Sequence, residues 1–229
     1  MSAITKKGNK MNKYKMAVSC GRGMGIVKNT SKTWGDIVKK LSAHVELDDK
    51  EKAGFFVGGG FVGESRKDEF LECRSLLTLD VDKYSGDIED LAFDIDLLSL
   101  GAFVAYSTHS HTNNAPRVRL VLPLSREVSG VEYRAISEAF CKGIACFDFD
   151  ECSFKPNQFM FYPSCAVGGD KWVMVGEGDT VDVDLFLVDG GVIDSTSVFD
   201  VVSDESDDDD FTRDLPLNMS DDEVQGLLF

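Results

Sequence analysis

Asp80 and Asp82 sit two residues apart in a run, Leu77 to Asp82, whose other members are apolar or β-branched. Side chains of an extended strand repeat with period two, so both carboxylates fall on one face, about 7 Å apart. Two like charges that close resist joint ionisation. A divalent cation resolves the conflict, and hard oxygen ligands suit Mg²⁺ or Mn²⁺, which also hold phosphate oxygens. The spacing alone is equally that of a strand end whose aspartates cap a turn or pair with Lys83. Arg117 and Arg119 repeat the same spacing. Their guanidinium forks match phosphate oxygens, or carboxylates such as these.

Two further groups carry chemistry. Ser107, Thr108, His109, Ser110 and His111 form a donor-rich pentapeptide holding two of the three histidines, suited to contact with phosphate or a leaving group. Phe147-Asp148-Phe149-Asp150 supplies a third carboxylate, which in-line phosphoryl transfer with two metal ions commonly uses. Spacing does not choose between Asp148 and Asp150. Ser153, Lys155 and Gln158 follow as polar candidates without a distinctive spacing.

These groups need elements to position them. Thr33–Ala43 carries Trp34, Ile37, Val38 and Leu41 at helical spacing. Phe55–Gly63 is rich in glycine and aromatics. Its Gly58-Gly59-Gly60 reads as a tight connection between strands rather than a phosphate loop. Ser75–Asp82 alternates as a strand. Asp87–Leu100 has helical periodicity and ends at Gly101. Ala102–Ser107 is a short apolar strand, and Arg117–Leu122 another, stopped by Pro123. Ser129 and Glu132 make a capping box for a helix bearing Tyr133, Ile136 and Phe140. Gln158–Tyr162 reads as the fourth strand and Lys171–Val175 as a fifth.

Strand, helix, strand, strand, helix, strand is the ferredoxin-like, or RRM-like, βαββαβ order, an α+β fold. It places both helices on one face of an antiparallel sheet and sets the first and third strands side by side. The acidic pair and the arginine pair then share the other, open face.

Composition bounds the rest. The chain has 229 residues and is 43% hydrophobic, enough for one well-buried core. It holds no apolar run of membrane-spanning length and no secretory h-region. A cytoplasmic location follows, with the six cysteines as reduced, mostly buried thiols rather than disulfides or a zinc site. The net charge of −16 is uneven. Residues 1–40 hold ten Lys/Arg against one Asp, a balance of +9, while residues 203–229 hold ten Asp/Glu against one Arg, a balance of −9. The basic arm suits a phosphate backbone, or is simply a solvated leader. A catalytic unit over 1–195, with its RRM-like core at about 75–175, is expected to give way to an acidic tail over 196–229 that lacks the apolar content to order itself. That tail ends in Val224 and Leu227-Leu228-Phe229, a docking peptide or the start of a further domain.

With these motifs in place, the chain resembles the archaeo-eukaryotic primase superfamily, in particular the primase–polymerase domains of phage and plasmid primase–helicases. The likeness is carried by Leu77–Asp82 (LTLDVD), Tyr106–Leu124 (YSTHSHTNNAPRVRLVLPL) and Phe149–Ser164 (FDECSFKPNQFMFYPS), and spans roughly residues 30–175. It implies an RRM-like catalytic half beside an N-terminal α/β half. It implies primer synthesis or extension with two Mg²⁺ or Mn²⁺ ions, on single-stranded DNA, from ribo- or deoxynucleoside triphosphates. A replicative helicase, separate or fused, is the implied partner. Asp80, Asp82 and Asp150 match the metal ligands, and Ser107, His109, His111, Arg117 and Arg119 fall in the nucleotide-binding stretch. The family's phosphate-binding histidine matches His109 by its Ser-x-His spelling, whereas Arg119 occupies its usual strand position. Leu215–Phe229 also resembles the opening of a domain that follows the primase in such fusions.

Two rivals remain. His109-Ser110-His111 is similar to the paired histidines of rolling-circle nickases, for which Tyr133 is the available helical nucleophile. A catalytically silent RRM-like module would instead stack bases on aromatics of the first and third strands.

Overall fold

The structure, a computed structural model, describes residues 13–21, 23–188 and 191–192. The acidic tail, its apolar tip and the first twelve residues of the basic arm lie outside the described residues. The elements, in chain order, are β1 (Tyr14–Ser19), β2 (Val27–Lys32), α1 (Trp34–Leu41), β3 (Val45–Glu46), β4 (Phe55–Val57), β5 (Gly59–Phe61) and β6 (Leu71–Lys83). They continue with α2 (Ile88–Leu97), β7 (Phe103–Ser107), β8 (Val118–Val128), α3 (Gly130–Lys142), β9 (Asp148–Phe149), β10 (Met160–Phe161), β11 (Ser164–Cys165) and β12 (Val173–Gly176).

The principal sheet runs β12-β7-β8-β6-β5, with β9 also paired to β6. Within it β6-α2-β7-β8-α3-β9 forms the expected βαββαβ unit. Its strands lie in the order β7-β8-β6-β9, every neighbour antiparallel. The first and third strands are adjacent, as the sequence pattern required. Leu77, Leu79 and Val81 of β6 join Val118, Leu120 and Leu122 of β8 against Leu91 and Ile95 of α2 and Tyr133, Ile136 and Phe140 of α3. Ser129 and Glu132 close their capping box. A second box, Asp87 with Asp90, starts α2 and has no Glu or Gln to advertise it.

The opposite face is not left open. Leu76, Val104, Tyr106 and Val121 pack there against Tyr14 and Met16 of β1, Ile37 and Leu41 of α1, Phe56 and Met160. The N-terminal half therefore covers part of the sheet, while Arg117, just before β8, is exposed and Asp82, near the end of β6, is half-buried. Gly59 and Gly60 lie in register with Arg74 and Cys73. A Cβ on Gly59 would sit 2.1 Å from the Cys73 carbonyl oxygen. The glycine run is thus a close strand crossing.

Several features differ from the sequence expectation. Met160–Phe161 pairs with β4 in a separate sheet of order β10-β4-β1-β2, while β9 takes the fourth place beside β6. Alternating aromatics announce a strand without naming its sheet. Here Phe159 and Phe161 pack with Phe55, and Arg66 lies over the Phe159 ring. Next, β8 runs through Pro123 to Val128, because the register shift between Arg74 and Leu76 accommodates the missing donor. Then α2 stops at Leu97, and Ser99 and Gly101 at positive φ make the turn. Finally, only Cys73 and Cys165 of the cysteines are buried, and Cys146 is exposed.

Candidate active site

The register of β6 on β8 sets Asp80 opposite Arg119, and that of β7 on β8 sets Arg119 opposite Tyr106. One row across three strands thus carries an acid, a base and a phenol. Arg119 Nε donates to Asp80 Oδ2 at 3.0 Å, and its Nη1 donates to the Phe161 carbonyl at 3.2 Å. The Tyr106 hydroxyl donates to the same carbonyl at 3.0 Å. Both charged side chains are well covered, with 14% of Arg119 and 13% of Asp80 accessible.

Asp80 is held on every side but one. Its amide donates to Ser153 Oγ at 3.0 Å, and its carbonyl accepts from the Asp150 amide at 2.9 Å. Its second carboxylate oxygen, Oδ1, is buried and has no hydrogen-bond partner. Burial pushes the Asp80 carboxyl above its usual range. Arg119 draws it back, and the charges of Asp82 and Asp150 add to the rise. Burial also opposes the Arg119 charge, but Asp80 and Tyr106 more than offset it and hold the guanidinium above its usual value.

Asp80 and Arg119 form the floor of a cavity of about 240 Å³. Asp82, Arg117, Thr108, His109 and Ser110 line it from the βαββαβ unit and its loops. From other segments come Lys50, Phe161 and Ser164, with Lys50 Nζ 5.8 Å from the Phe161 ring centroid. His109 Nδ1 lies 3.3 Å from Ser164 Oγ. Two carboxylates among two guanidinium groups, Lys50 and His109 have the chemistry to hold a metal-bound polyphosphate.

The model of the VapE N-terminal domain family matches residues 4–190. The chain belongs to that family. Comparison with curated proteins gives no match. Among solved structures, the AEP domain of the cyanophage S-2L primase-polymerase (PrimPol) is similar at 13% identity. The likeness covers 76% of this chain and 86% of that one, with a TM-score of 0.44.

In this VapE N-terminal domain the residues expected from sequence divide into two groups. Asp80, Asp82, His109, Arg117 and Arg119 meet in the cavity. Ser107, His111 and Asp150 are not among its lining residues. Ser107 is fully buried; its Oγ lies 2.9 Å from His44 Nε2 and accepts from the Trp172 amide at 2.9 Å. His111 is buried and accepts the Arg117 amide on Nδ1 at 3.2 Å, which braces the loop. Its Nε2 has no partner, and burial lowers its pKa. Asp150 caps the short turn Glu151–Phe154 through Oδ1, which accepts from the Cys152 amide at 2.8 Å. It stands on the side of β6 away from Arg119, close enough to raise the Asp80 pKa.

The donor set suits a hard divalent cation. Asp80 Oδ1 is a buried oxygen that lacks a partner, with Asp82 beside it in the cavity. Among the described residues no group of three or more His, Cys, Asp or Glu side chains is arranged as a ready-made cage. Mg²⁺ is usually bound through one or two carboxylates, with water and substrate phosphates completing its shell, so an open acidic pair fits it.

Lys50, Phe161 and Ser164 were not legible as site residues. Lys50 lies thirty residues before Asp80 in a polar stretch without a motif. Ser164 ends the third resembling stretch, which is the signal that would have found it.

Proposed function

We propose that this domain is a nucleotidyltransferase that makes or extends primers on single-stranded DNA from nucleoside triphosphates. The observation that carries the reading is Asp80: set against Arg119 by strand register, buried, with one oxygen lacking a partner, at the floor of a cavity rimmed by cations. Asp80 and Asp82, with Asp150 behind them, are the residues that would hold Mg²⁺ or Mn²⁺, which when bound would neutralise the phosphates and acidify the attacking hydroxyl. Arg117, His109 and Lys50 face the triphosphate. Arg119 holds Asp80 in place and, through Phe161 O, ties β8 to β10. His109 is then the phosphate contact and Arg119 the residue that positions the ligand. The primer 3′-hydroxyl attacks the α-phosphorus, and pyrophosphate leaves toward the cationic rim. A replicative helicase, separate or fused, completes the proposal as partner. Among the described residues no helix is long and apolar enough to cross a membrane.

The nickase alternative needs a reachable tyrosine. Tyr133 is fully buried; its hydroxyl lies 3.0 Å from Ser153 O and 3.2 Å from Thr78 O, and Arg74 covers its ring at 3.8 Å. The test is primer synthesis and extension on single-stranded DNA with ribo- and deoxynucleotides and Mg²⁺ or Mn²⁺. Activity that vanishes in Asp80→Ala and Asp82→Ala is the expected result. Activity that survives either substitution overturns the site.

A further inference from the structure

A second concavity lies on the N-terminal half. It is a groove of about 490 Å³ between α1 and the β1–β2 hairpin, with Met16, Val18, Ile37 and Leu41 on its apolar side. Alternation along β2 puts Lys28, Thr30 and Lys32 on the groove side, and α1 adds Lys40. These lysines are exposed, and among the described residues none is in an ion pair. Lys40 Nζ lies 4.9 Å from the ring centroid of Tyr162, which also lines the groove. The single acid on the rim, Asp36, is bound to the Thr33 hydroxyl at the start of α1.

We infer that this groove is the track of a single nucleic-acid strand, with phosphates on Lys28, Lys32 and Lys40 and a base against Tyr162. Three observations carry it. Among the described residues none of these cations is in an ion pair, in a chain of net charge −16 and on a segment whose local balance is +9. Lys28 and Lys32 are about 13 Å apart along β2, the length of roughly four stacked nucleotides at about 3.4 Å each. Lysines beside an aromatic ring are the combination by which proteins hold single strands without reading sequence. In the chain, Tyr162 of the groove directly follows Phe161, which lines the cavity. Naming that strand the template rests on the function proposed above; strand binding itself does not.

The test is fluorescence anisotropy of a labelled mixed-sequence single-stranded DNA with the full chain, without nucleotide or metal, across a salt series. The triple variant Lys28→Gln, Lys32→Gln, Lys40→Gln is expected to weaken binding at least tenfold. It should also lower the slope of log affinity against log salt by about two, from about 0.7 for each lost phosphate contact. Exposed control variants Lys67→Gln and Lys142→Gln should leave both unchanged. Tyr162→Leu should weaken binding roughly fivefold or more with little change in salt slope. A triple variant that matches the controls overturns the groove. Triphosphate binding, measured separately with Mn²⁺, reports on the cavity. Its absence beside intact strand binding counts against the proposed function and leaves the groove standing.

Discussion

Replacing Arg119 with methionine keeps most of the side-chain volume and removes the charge that faces Asp80. The pair is 3.0 Å apart at its closest atoms, with 14% and 13% of the side chains accessible. At a charge separation near 4 Å and an effective dielectric of about 20, its Coulomb attraction is about 4 kcal/mol. Removing one member of a buried pair typically costs about 3–5 kcal/mol, because the other charge is left behind. Residual solvent around both groups places this case at the low end, about 3 kcal/mol. For a chain of this length that lowers the Tm by about 6–12 °C. Thermal unfolding in low salt measures it. The double variant with Asp80→Asn should lose less than the two singles together by about 2 kcal/mol, and Mn²⁺ should raise the Tm of Arg119→Met more than that of the wild type. A loss below about 1 kcal/mol, or strict additivity in the double variant, refutes the account of Asp80 as a buried charge held by one partner.

Three further outcomes are expected. Because the folded Asp80 carboxyl binds its proton more tightly than the unfolded one, its contribution to stability falls as pH rises from about pH 4 toward its raised pKa. Urea denaturation across that window should show Asp80→Asn losing this downward component, and an unchanged pH slope contradicts it. Arg74, fully buried, donates to Gly58 O, Pro156 O, Leu76 O and Thr78 Oγ1. Arg74→Leu removes all four of these bonds, although Gly58 O keeps the Ser75 and Leu76 amides, and should cost at least about 3 kcal/mol, whereas a loss under about 1 kcal/mol in urea would show that the network contributes little. Tyr133→Phe should lose about 1 kcal/mol of stability and keep primer synthesis. Complete inactivity of the well-folded variant would instead favour tyrosine chemistry.

The βαββαβ half was legible because period-two alternation fixes faces and the element order fixes neighbours. Together they put Asp80 beside Arg119 before any coordinates. Alternation does not say what covers a face, so the packing of Tyr14, Ile37 and Phe56 onto Val104 and Tyr106 was not foreseen. Nor does it choose between sheets: Gln158–Tyr162 reads as the fourth strand of the βαββαβ unit, yet Met160–Phe161 pairs with β4. Ser107 and His111 show the same limit at the level of a side chain. Both types suit phosphate, yet local geometry turns them to brace His44, Trp172 and the Arg117 amide. Lys50 shows the converse, a site residue brought in by the tertiary fold alone.

The most direct test of the central claim is calorimetric titration of a nucleoside triphosphate into the protein with and without Mn²⁺, for the wild type, Asp80→Asn and Asp82→Asn. Binding that requires the metal and weakens at least tenfold in both variants, with folding unchanged, is the predicted result. Triphosphate binding that is independent of Mn²⁺, or unaffected by loss of either carboxylate, contradicts the assignment of Asp80 and Asp82 as the metal edge of the site.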